Sequence, residues 1–221
     1  MMSPIILSIA VSFAATIICA PMAWCFASLV VRRRFPGRMA LDAMLNLPLV
    51  LPPLVTGYFL LVVFGGHGMI GRYLDQWLGL RLAFTTAAAV IAAMTVAFPL
   101  FYRAVKLSLE SMDRRMEDIA ATLGATRWDI LWSITVPLNW RGLVTGAVTT
   151  FARSLGEFGA TIIFAANIPG KTQTIPLAVF NYINTPGGDA KALPLIVIAT
   201  LISAAAMASS YYLAPDREPS R

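Results

Sequence analysis

Apolar residues gather in five long blocks along this chain, and the polar residues are confined to the stretches between them. The blocks cover residues 5–31, 43–65, 82–102, 142–166 and 192–214. A helix needs about 20 apolar residues to cross roughly 30 Å of hydrocarbon, and each block reaches that length. The pattern predicts an all-α integral membrane protein, a single domain over 1–221 with about five transmembrane helices. The first block has no basic residue ahead of it and is longer than the apolar part of a secretory signal. It is expected to be a permanent span.

Composition agrees: 58% of the residues are hydrophobic and 13% charged, about half the charge of a typical soluble domain. The net charge of +6 does not point to nucleic acid, because the basic residues flank apolar blocks rather than forming one basic face. They report topology instead. Four of the seventeen follow the first block (Arg32, Arg33, Arg34, Arg38), six lie in 103–141, and Arg217 and Arg221 close the chain. Only Arg72, Arg81, Lys171 and Lys191 fall on the alternate side, and Arg153 lies within the fourth block. Lysine and arginine are retained on the cytoplasmic side. Five spans then place the N-terminus outside and the C-terminus in the cytoplasm, in the cytoplasmic (inner) membrane. Cys19 and Cys25 sit six residues apart on different faces of one helix and read as packing residues. His67, the single histidine, lies in a glycine-rich turn without metal-ligating neighbours.

Two polar features interrupt this apolar plan. The second block carries Pro48, Pro52 and Pro53, which break the helical hydrogen-bond ladder. Such a break is either a packing kink or a segment facing protein or a water-filled pathway. The longer feature is the polar stretch 103–140. Its residues 111–123 read as a helix with Met112, Met116, Ile119, Ala120 and Leu123 on one face, ended by Gly124. A second short helix is predicted over 126–133, with Trp128, Leu131 and Trp132 at one-face spacing, and Pro137 marks the return to the membrane. Two short helices set at an angle, mixing apolar and charged positions, suit docking to a soluble partner.

Here a family resemblance enters. Asp118, Ile119 and Ala120, then Gly124, then Ile134, Thr135, Val136 and Pro137 resemble the EAA motif of binding-protein-dependent ABC importer permeases. That motif is Glu-Ala-Ala, three residues, Gly, nine residues, and Ile-x-Leu-Pro. The spacing matches throughout, with Asp118, Ile119 and Val136 as substitutions, and Glu117 next door leaves the acidic role shared. The resemblance implies that Glu117, Asp118, Ala120, Ala121, Gly124, Ala125 and Pro137 belong to coupling helices seated in a groove of a separate nucleotide-binding ATPase subunit. A helix lying on the lipid surface is the plainer reading of the same amphipathic segment.

Further downstream, Ala-Arg-Ser-Leu-Gly-Glu-Phe-Gly-Ala-Thr-Ile over 152–162, Asn-Ile-Pro-Gly over 167–170 and Thr-Gln-Thr-Ile-Pro over 172–176 look like the molybdate-type permeases, close to the sulfate and tungstate permeases. Thr-Pro-Gly-Gly over 185–188 and Leu-Pro-Leu-Val-Leu-Pro-Pro over 47–53 fit the molybdate branch best. The likeness covers nearly the whole chain. It implies an extracytoplasmic molybdate-binding protein meeting the outer loops, 167–191 among them, and a second copy of this chain beside the first in the lipid. It implies no cofactor in this chain, and no ATP hydrolysis by it, since the chain has no GxxxxGK[ST] sequence.

Arg153 and Glu157 stand about a dozen residues in from Arg141, near mid-membrane at a rise of ~1.5 Å per residue. A charge there costs roughly 2.5–3.5 kcal/mol unless it meets protein or water. At i and i+4 the two are spaced to pair along one helix face, either to lock helices together or to line a gate where Arg153 meets a passing oxyanion. With Ser154, Thr161, Pro52 and Pro53 they form the candidate translocation pathway. A membrane enzyme needs a convergent acid, base or metal cluster, and an inverted repeat favours a secondary carrier. The sequence presents neither pattern.

Overall fold

The computed structural model describes residues 3–213; Arg217 and Arg221 lie outside them. The chain forms α1 (Pro4–Arg32), α2 (Arg38–Asn46), a 3-10 turn (Leu47–Leu49), α3 (Pro53–Phe64), α4 (Gly71–Leu78) and α5 (Thr86–Ser111). Then come α6 (Arg115–Thr122), α7 (Arg127–Ile130), a wide π-type turn (Leu131–Thr135), α8 (Val136–Leu138), α9 (Trp140–Leu155), α10 (Gly159–Phe164), α11 (Ile175–Ile183) and α12 (Asp189–Leu213).

The burial pattern inverts that of a water-soluble bundle. On α1 the buried stripe is Leu7, Val11, Ala15, Cys19, Ala23, Ala27 and Val30, while Ile6, Phe13 and Ile17 face outward. On α5 a run of alanines, Ala88, Ala89, Ala92, Ala93 and Ala97, is buried. Small residues let helix backbones approach where lipid already solvates the large apolar side chains. Leu7, Val11 and Ala15 share a cluster with Ala88 to Val96, whereas Cys19, Ala23 and Ala27 share one with Phe98 to Leu109. Thus α1 and α5 run in the same direction. α9 runs the other way, with Gly142 against Ser108 and Gly146 against the Phe101 ring. A Cβ on Gly142 would come within 2.4 Å of Ser108 Cβ, so no larger residue fits this contact as it stands.

Of the five expected spans, three are continuous helices long and apolar enough to cross a membrane: α1, α5 and α12. The other two are broken. Residues 43–65 become α2 with its 3-10 turn, followed by α3 at an angle of 112°. That is far beyond a packing kink, because Pro48, Pro52 and Pro53 together remove three amide donors from six residues. Block 142–166 divides into α9 and α10 around Gly156, Glu157 and Phe158. The third span is longer than predicted: α5 continues to Ser111, so Arg103 and Lys106 are helical and not in the loop. Lys106 meets Asp42 at 2.7 Å and the Tyr102 hydroxyl donates to Asp42 at 2.5 Å, pinning α2 to α5.

Residues 167–191, expected as an outer loop, contain α11, and Thr172, Gln173 and Thr174 ahead of it are buried. The Ile175 N–H donates to Ser8 Oγ at 2.7 Å, fixing the start of α11 against α1. Nine residues are too few for a span, so hydropathy alone gives this helix no signal. Pro176 at its first turn was the available sign.

Candidate functional site

The polar stretch between α5 and α9 folds as a hairpin of short helices, displaced from the predicted bounds. The first helix begins at Arg115 rather than 111, because Met112 is extended and the Asp113 carboxylate accepts the Arg115 N–H at 3.0 Å. α6 ends where predicted. Gly124 has φ +88°, and the amides of Gly124 and Ala125 donate to the carbonyls of Ala121 and Ala120. An L side chain in that conformation is strained by about 1–2 kcal/mol, so the turn itself calls for glycine. α7 opens with a reciprocal cap, in which Thr126 Oγ1 accepts the Asp129 N–H and the Asp129 carboxylate accepts the Thr126 N–H. The Thr126 hydroxyl and N–H hold the Asp129 carboxyl below its ordinary value of 3.8. The second helix ends differently from the prediction. It passes into the π-type turn, and Pro137 lies inside α8 rather than at the return, which falls at the fully buried Asn139. A widened turn ahead of Pro137 suits a residue that has no N–H to give.

The hairpin is open on the side predicted to dock a partner. Leu123 is 82% exposed and Trp128 70%, and Ile119 and Trp132 are exposed with them. Asp118, Ala121, Gly124 and Pro137 are exposed, while Ala120 and Ala125 are half-buried. Glu117 departs from this set. Its carboxylate turns inward, takes the Arg32 guanidinium at 2.5 Å, and accepts the hydroxyl of the buried Thr135. The two neighbouring acids therefore have separate roles: Asp118 is presented outward, and Glu117 is tied to the membrane body.

The candidate pathway residues collect at the two helix breaks. α3 and α10 begin against one another. A Cβ on Gly159 would fall 2.8 Å from Pro53 Cβ, and one on Gly57 would fall 2.7 Å from Ala160 Cα and O. Arg153 Nη1 pairs with Glu157 Oε2 at 2.7 Å. The pair does not lie along one helix face, because α9 ends at Leu155 and Glu157 sits in the break. Glu157 Oε1 accepts the Ala160 N–H at 2.8 Å, so this carboxylate also closes the first turn of α10. Burial is unequal: the Glu157 side chain is 2% exposed and that of Arg153 is 32%. Ser154 and Thr161 are buried near the pair in sequence, Pro53 packs at the break, and Pro52 is exposed. Gly159 and Ala160, small residues beside the pair that suit close helix approach, make that approach here. Sequence reasoning missed their partner Gly57 and the buried Thr56, which stand out only once the two broken spans are known to meet.

These features define an inner-membrane transport permease, and the chain belongs to the family described as binding-protein-dependent transport system inner membrane component, which matches residues 15–218. It is 48% identical over 210 residues to the molybdenum transport system permease protein ModB of Escherichia coli strain K12, covering 95% of this chain and 92% of that protein. Its identity to the protein of the same name from Haemophilus influenzae is 46% over 211 residues, covering 96% and 92%. To the putative molybdenum transport system permease protein YvgM of Bacillus subtilis it is 39% over 201 residues, covering 91% and 88%. Among solved structures, the fold is similar to a chain of the MetNI methionine ABC transporter in inward-facing conformations. That likeness has a TM-score of 0.66 at 16% identity and covers 94% of this chain and 93% of that one.

Proposed function

We propose that this chain is the membrane-spanning subunit of an ATP-driven importer that takes molybdate from an extracytoplasmic binding protein and passes it into the cytoplasm. Two copies line one pathway, and the exposed α6–α7 hairpin seats each copy on a nucleotide-binding subunit. The observation that carries this reading is that hairpin: a glycine-bounded pair of short helices with open apolar side chains, held to the body of the protein by Glu117. The substrate follows from the permeases named above, whose names specify molybdenum transport.

The chain crosses the membrane five times in this reading, with the two broken segments each counting as one crossing. The common direction of α1 and α5 supports it, since the segment between them must return. The N-terminus is outside, and the hairpin and C-terminus are cytoplasmic, as the arginines at the end of α1 favour. At the breaks, Glu157 is a fixed internal anion, and Arg153, the more exposed partner, offers its remaining N–H donors to an oxyanion passing along the dimer axis. Binding there is weak, because an anion held tightly does not leave.

The test is reconstitution with the ATPase and the binding protein in proteoliposomes. Labelled molybdate should enter only with ATP, and tungstate should compete better than sulfate. Uptake of sulfate in preference to molybdate would overturn the substrate. Labelling of a Leu123→Cys variant from outside intact cells would overturn the orientation.

A further inference from the structure

α6 is weakly anchored by packing. It buries no residue, its Met116 and Ile119 are exposed, and a groove of about 770 Å³ lined by Leu107, Ser111, Met116, Pro137 and Trp140 lies between it and the ends of α5 and α9. Polar bonds hold it on the other side, and they lead to α1. Arg32, the last residue of α1, meets Glu117 at 2.5 Å, and the Arg114 guanidinium just ahead of α6 donates to the Val31 carbonyl at 2.7 Å. Glu117 also accepts from Thr135, which is buried in the π-type turn after α7. One carboxylate, 13% exposed, thus joins both arms of the hairpin to the end of the first helix.

α1 is suited to carry a displacement onward. It is a single helix of 29 residues, about 43 Å long at ~1.5 Å per residue. It packs along α5 in both core clusters, and near its far end Ser8 holds the Ile175 N–H at the start of α11. Elements of a close-packed interior move as bodies rather than deform continuously. We infer that Glu117 is a positioning residue of the transport cycle: with Arg32 it hooks the α6–α7 hairpin onto α1, so that movement of the hairpin shifts α1 and, through Ser8, the start of α11. Glu117 therefore acts through α1, whereas Asp118 beside it is left to face the partner. This inference rests on the permease reading given above.

The experiment uses the full complex in proteoliposomes and reads molybdate taken up per ATP hydrolysed. Glu117→Gln keeps an acceptor for Thr135 but removes the charge that holds Arg32. It should lower uptake per ATP by about fivefold, the low end of coupling between linked sites. Arg32→Glu should lower it at least as far, and the exchange Arg32→Glu with Glu117→Arg should recover more than half of the loss, which a residue facing the ATPase would not do. A ratio unchanged in Glu117→Gln, or an exchange no better than the single variants, would overturn the proposal. Should a charge variant fail to insert, a disulfide formed in Arg32→Cys with Glu117→Cys replaces the hook covalently. Uptake per ATP must then fall on reduction and return on oxidation, and a ratio indifferent to redox state refutes the hook. Wild-type vesicles that take up no molybdate would instead refute the permease reading, so the two failures are separable.

Discussion

The α6–α7 hairpin and the break where α3 meets α10 are both interrupted helices, yet they solve opposite problems. At the hairpin the interruption is at the surface: Gly124 has nothing within 4 Å of the position a Cβ would take, and large apolar side chains stand open around it. At the break the interruption is enclosed: Gly57 lies against the backbone of Ala160, and Glu157 satisfies both a cation and a helix amide. The first region leaves large apolar side chains uncovered, and its conformation is set by local chemistry. The second is covered by its own neighbours, and its conformation is set by what packs on it. Glycine serves for its backbone freedom in one and for its missing side chain in the other.

Substitutions sharpen this contrast, and the largest effect belongs to the break. Arg153→Ala strands the Glu157 carboxylate and should cost about 3 kcal/mol, as breaking a buried pair does, read as the unfolding midpoint in detergent. The double variant Arg153→Ala with Glu157→Gln should recover most of that stability but not molybdate uptake. Recovery of both would make the pair purely structural.

Next comes Gly57→Ala, for which overpacking against Ala160 predicts a loss of about 1–3 kcal/mol in the same assay. An unchanged midpoint would mean that the two broken helices are not in the contact described. At the hairpin, Gly124→Trp should still insert, with its turn strained by about 1–2 kcal/mol, but lose uptake per ATP, because the open space there admits bulk only until a partner approaches. Gly124→Asn, which accepts positive φ, should retain most of it. Equal behaviour of the two would remove the difference drawn between the regions.

The smallest effect concerns the α7 cap. Because hydrogen bonds from Thr126 depress the Asp129 carboxyl in the folded chain, its stabilising contribution is complete above its ordinary 3.8 and is lost as pH falls through the lower folded value. Amide exchange at Thr126, whose N–H the Asp129 carboxylate accepts, should therefore be raised by Asp129→Ala at neutral pH and be insensitive to it only at the acidic end of that range.

Much of the hairpin was legible in the sequence because its determinants are local. Gly124, the Thr126–Asp129 spacing and the apolar positions of 116–123 act within a few residues of one another. The start of the first helix was misplaced by four residues, since Met112 and Asp113 end one helix and cap the next without a glycine or proline to mark the change. The break was legible only in its ingredients. Pro52, Pro53, Arg153 and Glu157 could be named, but not that residues about a hundred positions apart would meet there.

By itself the sequence determined the membrane class, the apolar blocks and the turn chemistry, because hydropathy, proline and positive φ act on the chain wherever it goes. Tertiary structure alone decided how sharply the second block bends at its prolines, that the fourth block is broken rather than straight, and that Glu157 leaves the helix to close the next one. It also decided that Glu117, rather than Asp118, turns back to Arg32. Those outcomes depend on which backbones approach and which charges find partners across long separations. No periodicity along a single chain encodes such distances.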